Sequence, residues 1–394
     1  MKIHEKSFAG VGRLTPYLVW AAEGWSPDEI KARVISILRP YFNNPSVVTN
    51  LPVAVLGFEA VFIDRIQGDP WAVSMLTGVL SEYRAALSQN QQASIEALTA
   101  WDDKIARAVA EFYSLYLMEV DKVELELDEF RLEILRIIGG LLEACIQPHL
   151  RALLHQVRVR RSTRGDKAHL ESLKFGEVVE ELSRTLRVQG LLAPPPWNVK
   201  MHIFRNIAQH HSASIRNDRI VCNYRAGQHT HQIEFSRSDM LALAQRLQQV
   251  LGILRTARTI FYLDNIAKIE NESTSAIRPD IAFLFFTVGI ATQGFEVVAL
   301  DISGSIAHLQ VQDVTNGDAL DRGVHASQFL VELWAHCQTP QVRVSYLDRS
   351  GQIRLVADAN STDCEDIVEG RTPFEALAAR VVFKTHTGCS KSSI

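Results

Sequence analysis

The chain has 394 residues, 47% of them hydrophobic and 22% charged, with a formal net charge of −4. That length exceeds one average core and points to two or three domains, and the composition excludes an intrinsically disordered chain. The small negative charge gives no global pull towards nucleic acid, so any such contact has to come from a local basic patch.

Residues 1–95 read as a helical N-terminal region. Ser26-Pro27-Asp28-Glu29 is a helix start, with a capping serine, proline at the first position and acids in the first turn; Pro40 stops that helix. Further helical patterns cover 51–66 and 71–88, divided by Asp69-Pro70. Two long helical patterns follow, about Gln91 to Leu117 and Glu119 to Val157. The second carries a broad apolar stripe that includes Phe130, Ile134, Ile138, Leu142 and Cys145. Gly139-Gly140 inside it suits close helix packing, and Pro148 should kink or break it. Arg158, Arg160, Arg161, Arg164 and Lys167 form a basic cluster, read either as a solvated loop or as a phosphate-backbone contact. A helix is expected over about Ser172 to Val188.

Pro194-Pro195-Pro196 then breaks the chain, and Asn198 can cap a helix containing Arg205, Asn206 and His210. Beyond it, Ser214 to Tyr224 alternates around a turn at Arg216-Asn217-Asp218-Arg219, and His231 to Phe235 is a short strand, giving a hairpin or small meander. Ser236-Arg237-Ser238-Asp239 opens a clean amphipathic helix that runs to about Leu263. Glu272-Ser273-Thr274-Ser275 is a linker. After it, strands are expected at Phe295–Leu300, Ile306–Gln312, Val342–Leu347 and Ile353–Ala357, with a hairpin turn at Asp348-Arg349-Ser350-Gly351 and a helix at Ala326–Cys337. The fold class is therefore mainly α. The domains are 1–95, a helical bundle over 96–263, and a C-terminal α+β domain over 276–386, followed by a disordered tail from Thr387 to Ile394.

The five cysteines, Cys145, Cys222, Cys337, Cys364 and Cys389, contain no Cys-x-x-Cys pair, against a zinc knuckle or a thioredoxin-type site. Scattered free thiols, with Arg13 and Pro16 interrupting the only apolar run near the N-terminus, point to the cytoplasm. The longest apolar run, Ile281 to Ala291, is too short to span a bilayer and reads as a buried helix or strand. His229-Thr230-His231 could set two imidazoles on one side of a strand, but Glu234 is the only acid near them, so exposed hairpin histidines are the plainer reading. Asp301 and Asp313 are lone acids, expected at strand ends or on solvent faces. No Gly-x-Ser-x-Gly elbow, phosphate-cradling Gly-x-x-x-x-Gly-Lys or His-Glu-x-x-His is present.

The candidate site is Arg205, Asn206 and His210. An arginine fork suits a phosphate, and an imidazole exchanges a proton near neutral pH. With Arg205 set at zero and each residue turning about 100°, Asn206 falls near 100° and His210 near 140°, stacked at i, i+4. Ile203, Phe204, Ile207 and Ala208 fill the arc from about 160° to 300°, and His211, near 240°, falls inside it. Helical phase thus selects His210 over His211.

This Arg-Asn-x-x-x-His motif lies between a helix with a proline-bearing loop and a small hairpin followed by a capped helix. The stretch from about 100 to 262 resembles the HEPN superfamily. It departs from the commonest pattern at Gln209, where Ala often precedes the His. The resemblance implies a four-helix bundle that forms a homodimer, with two copies of the motif facing one cleft. It implies a metal-independent endoribonuclease that uses the ribose 2′-hydroxyl as nucleophile, as in a toxin or antiviral defence effector under a regulatory or antitoxin protein. His210 would then act as general acid or base, Arg205 would hold the phosphate, and Asn206 would orient either. No cofactor, metal or membrane is implied; the partner is RNA. The alternative is a catalytically inactive HEPN-type module for dimerisation or ligand binding.

Overall fold

A computed structural model describes residues 17–50, 53–116, 125–163, 165–188, 190–210, 212–226, 229–269 and 279–385. The expected linker at 272–275, the tail from Thr387, Arg164, Cys389 and His211 lie outside the described residues. The protein is mainly helical, with a three-stranded and a five-stranded sheet. It forms two compact units. One is built from Tyr41–Val47 and Phe62–Ala276, the other from Met1–Pro40, Val48–Val61 and Ile277–Ile394. The N-terminal region contributes to both units. Part of the reason is local: the Tyr17–Ala22 helix packs on the apolar Pro279–Thr292 helix.

In the helical unit, Pro70–Gln89 packs against both Gln147–Arg160 and the long Arg237–Asp264 helix. Both helix starts are chemically marked. Asp69 accepts from the Trp71 and Ala72 amides, and Ser236 with Asp239 closes a full capping box. The core includes Leu76, Tyr83, Phe130, Ile138, Leu153, Leu247 and Phe261, all at most 2% exposed. One buried ring of this unit is bonded at both nitrogens. The Trp101 indole donates to His155 Nδ1 at 3.2 Å, and His155 Nε2 lies 2.9 Å from the Gly165 carbonyl. Those two contacts together fix a neutral imidazole with its proton on Nε2.

The expected helix from Gln91 is two helices, Gln91–Thr99 and Asp102–Tyr116, divided at Ala100-Trp101. The helix expected from Ser172 begins at Phe175 and ends at Thr185, after a separate turn of helix at Lys167–Ser172. Leu127–Gly140 runs on into Gln147–Arg160 without a break at Pro148. A π-helical segment, Leu141–Ile146, precedes the proline, and the Gln147 amide donates five residues back to Leu142. This wider turn shifts the ladder where proline cannot donate, so the rod continues. The glycines serve the packing as expected. A Cβ on Gly139 would lie 3.3 Å from the Ala208 Cβ, and one on Gly140 would lie 3.2 Å from Leu115.

Strands β1 (Ala213–Arg216), β2 (Arg219–Ala226) and β3 (His229–Phe235) form an antiparallel meander. Asn217 and Asp218 both have positive φ (49° and 56°), as a two-residue hairpin of matching twist requires.

In the α+β unit, β4 (Phe295–Ser303), β5 (Ile306–Asp313), β6 (Gln341–Leu347), β7 (Ile353–Asn360) and β8 (Val382–Thr385) lie side by side in chain order. All neighbours are antiparallel except β5 and β6. A parallel pair needs a crossover, supplied by two helices, Ala319–Ala326 and Phe329–Cys337, where one was expected. The apolar run at 281–291 is helix, with Phe286, Val288, Ile290 and Ala291 buried. Asp313 closes β5, a strand end as expected, but it does not face solvent. It is 2% exposed and held by Arg322 through both oxygens, at 2.9 and 3.0 Å.

Candidate active site

The motif sits on a short helix, Met201–Gln209, with His210 as its C-cap. Asn198 does not cap it. Its backbone is left-handed (φ 53°) and its side-chain amide donates to the Pro196 carbonyl, while Lys200 takes the cap position without a side-chain capping bond. Burial of Met201, Phe204, Ile207 and Ala208 pins the helix, with Phe204 edge-on to Phe235 of β3 and Ala208 against Gly139. The opposite face is open, leaving Arg205 half-buried and Asn206, Gln209 and His210 exposed. Of the arc expected to be apolar, Phe204, Ile207 and Ala208 are buried and Ile203 is half-buried.

Arg205 Nη2 donates to Glu143 Oε1 at 2.8 Å, and Nη1 makes a long contact of 3.4 Å with Asn206 Oδ1. Gln209 donates to the other Glu143 oxygen. Glu143 belongs to the π-helical segment, so the irregular turn that carries the rod past Pro148 also carries the carboxylate that meets the motif. Sequence reasoning missed Glu143 because its partner lies 62 residues away.

His202 was missed too, although the phase arithmetic run one turn backward finds it four residues before Asn206. It is half-buried, and burial pushes its imidazole below the usual range, against a smaller upward pull from Glu180. Its Nδ1 is buried without a hydrogen-bond partner. At neutral pH it is an uncharged ring with an unused nitrogen.

Two clefts meet on this helix. The larger, about 1030 Å³, is lined by Arg205, Asn206 and His202 together with Phe175–Thr185 helix residues such as Glu177, Glu180 and Arg184. The smaller, about 480 Å³, is lined by Asn206, His202 and His210 with Asn223, Tyr224, Arg225 and Thr230 of the meander. Asn206 and His202 border both. Arg205 and His210 therefore face neighbouring clefts that join along the helix rather than one common cleft.

The basic cluster at 158–167 is largely spent on ion pairs. Arg158 binds Glu181 (2.7 Å), Arg160 binds Glu82 (2.9 Å) and Lys167 binds Asp103 (2.9 Å). The phosphate-contact reading finds no support in those three residues. Among the described residues, no three His, Cys, Asp or Glu side chains gather as a metal site, and no helix is long and apolar enough to cross a membrane. The four described cysteines are free thiols. Compared with known protein families, curated proteins and solved structures, the chain matches none.

Proposed function

We propose that this protein is a metal-independent endoribonuclease of HEPN type. In this reading it acts as a homodimer in the cytoplasm, as a toxin or antiviral defence effector restrained by a regulatory or antitoxin protein. The reading rests on one observation: Arg205, Asn206, His202 and His210 share the open side of a helix whose other side is packed into the core. The 2′-oxygen attacks the adjacent phosphorus, its proton passes to an imidazole, and the bond from phosphorus to the 5′-oxygen breaks as that oxygen takes a proton. The products are a 2′,3′-cyclic phosphate and a 5′-hydroxyl. His210 exchanges the proton, Arg205 stabilises the charge gathering on the phosphoryl oxygens, and Asn206 orients the group between them.

His202 and His210 lie eight residues apart, about 12 Å along the helix axis. That is too far for both rings to serve the two oxygens of one phosphate. The second proton transfer falls to a second copy of the motif, which is what the homodimer supplies.

The Arg205–Glu143 pair favours the second reading, an inactive HEPN-type module, because a carboxylate already occupies the guanidinium. The pair is open, however, with side chains 27% and 40% exposed. Pairs of that exposure are worth about 0–1 kcal/mol, little enough for a phosphate to displace.

Purified protein should cleave single-stranded RNA in EDTA and leave cyclic phosphate ends. His210→Ala and Arg205→Ala should each lower the rate by roughly 10²–10³-fold or more, without loss of folding. Cleavage that stops with chelator, or that survives His210→Ala, rules the mechanism out. No cleavage by a folded dimer leaves the module.

A further inference from the structure

We infer that the meander supplies a nucleotide-stacking ledge: Tyr224, backed by His231 and flanked by Arg225, receives a base of single-stranded RNA next to the phosphate held at the motif. This rests on the ribonuclease reading for the identity of the strand.

The two clefts differ in charge. The larger is lined by as many carboxylates (Glu177, Glu180 and Glu181) as cations (Lys174, Arg184 and Arg205), so it carries no net attraction for a phosphate chain. In the smaller, Arg225 is the one Arg, Lys, Asp or Glu among the described lining residues, and it is positive. A polyanion leaving Asn206 is steered towards the meander.

That side also offers an aromatic surface. Tyr224 and His231 are cross-strand partners, with ring centroids 5.3 Å apart and planes within 18°. His231 covers one face of the phenol ring and fixes its tilt, while Tyr224 itself lines the cleft that holds Asn206 and His210. A rigid ring beside a cation is the arrangement that binds single strands without reading sequence, since every base has a π-face. Arg225, exposed on β2 and bordering the same cleft, offers its charge to the backbone of the strand as it passes. The ledge needs the face of a base rather than the 2′-hydroxyl, so a single-stranded deoxy-oligonucleotide binds there as well and is not cleaved.

The test uses full-length His210→Ala protein, which holds RNA uncut, and the fluorescence anisotropy of a labelled oligouridylate and of its deoxy counterpart. Adding Tyr224→Ala should weaken both by roughly 5- to 100-fold, while Tyr224→Phe keeps the ring and most of the affinity. Arg225→Gln should lower the slope of log affinity against log salt by about one phosphate contact. Circular dichroism of Tyr224→Ala checks folding, and Tyr224→Phe carries the test if that variant unfolds. Unchanged affinity on Tyr224→Ala overturns the ledge, as does equal loss in the Ala and Phe variants. Cleavage by the wild-type protein with Tyr224-independent binding removes the ledge and leaves the ribonuclease. Tyr224-dependent binding of both oligonucleotides without any cleavage removes the ribonuclease and leaves the ledge.

Discussion

Two arginine–carboxylate pairs, one in each unit, use the same chemistry for opposite ends. Arg322 grips Asp313 through both oxygens at 2.9 and 3.0 Å, lies over the Phe295 ring at 3.8 Å, and donates to the Gln293 carbonyl. Asp313 also accepts from Thr315 and from the Tyr346 hydroxyl. Every oxygen is engaged and the carboxylate is sealed from water. Arg205 holds Glu143 through one nitrogen, its Nε has no partner, and both side chains reach solvent. The first pair is a joint that cannot open without leaving a buried charge. The second can exchange its carboxylate for another anion at little cost. Saturation and burial, rather than the residue types, separate a structural arginine from one available to a ligand.

The largest expected effect follows from the sealed pair. Asp313→Ala leaves Arg322 without its counter-ion in a largely buried setting and should cost roughly 3–5 kcal/mol, read as a fall in the urea midpoint reported by Trp334. RNA cleavage by whatever protein stays folded should be unchanged. A loss under about 1 kcal/mol would place this pair with the surface kind and erase the contrast.

Acid should separate His149 from Asp313 next. His149 in the helical unit is fully buried, with Nδ1 2.9 Å from the Cys145 carbonyl. Burial, with the Arg258 and Arg255 charges, outweighs that bond and drives its pKa down to about 3. The folded value lies below the unfolded one, so the associated stability is complete above about pH 6.5 and drains as pH falls. At about pH 5 the loss is roughly 2 kcal/mol, and His149→Gln should flatten that part of the curve. Asp313 behaves differently. Burial raises its pKa, but bonds from Arg322 and Thr315 prevail and hold it below its ordinary value. Its contribution persists until the pH falls below about 4. The contribution of His149 should therefore be lost before that of Asp313 on acidification, read as the pH dependence of the urea midpoint in His149→Gln against that in Asp313→Ala. Simultaneous loss, or no change in His149→Gln, breaks this ordering.

Legibility in the sequence tracked how local the physics was. The capped starts at Ser26 and Ser236, the meander turn at Asn217-Asp218 and the four longer strands of the large sheet were readable, because each is set by residues a few positions apart. So was the exposed face of the motif helix. Non-local terms hid the rest. The passage through Pro148 depends on a π turn that no propensity announces. β8 is four exposed residues whose only mark is pairing with β7. Asp313 reads as a lone acid at a strand end or on a solvent face until Arg322 and Tyr346 are folded onto it. Glu143 looks like one more polar residue in an apolar stripe, and only the approach of the motif helix at Gly139 brings it to Arg205.

The smallest expected effect is the sharpest for the comparison. Glu143→Gln keeps the shape of the side chain and removes its charge. An open pair of this kind contributes at most about 1 kcal/mol, so the urea midpoint should barely move. Arg205 loses its resident anion, and a phosphate no longer has to displace one. Affinity for the oligonucleotide should rise by up to roughly 5-fold, the factor that about 1 kcal/mol corresponds to, with the gain shrinking as salt is added. In the Arg205→Ala background the same substitution should do nothing, because the competition acts only through that guanidinium. A gain that persists without Arg205 would mean Glu143 repels the strand directly. A loss of several kcal/mol of stability would mean that this pair, like Arg322 with Asp313, is a joint of the fold.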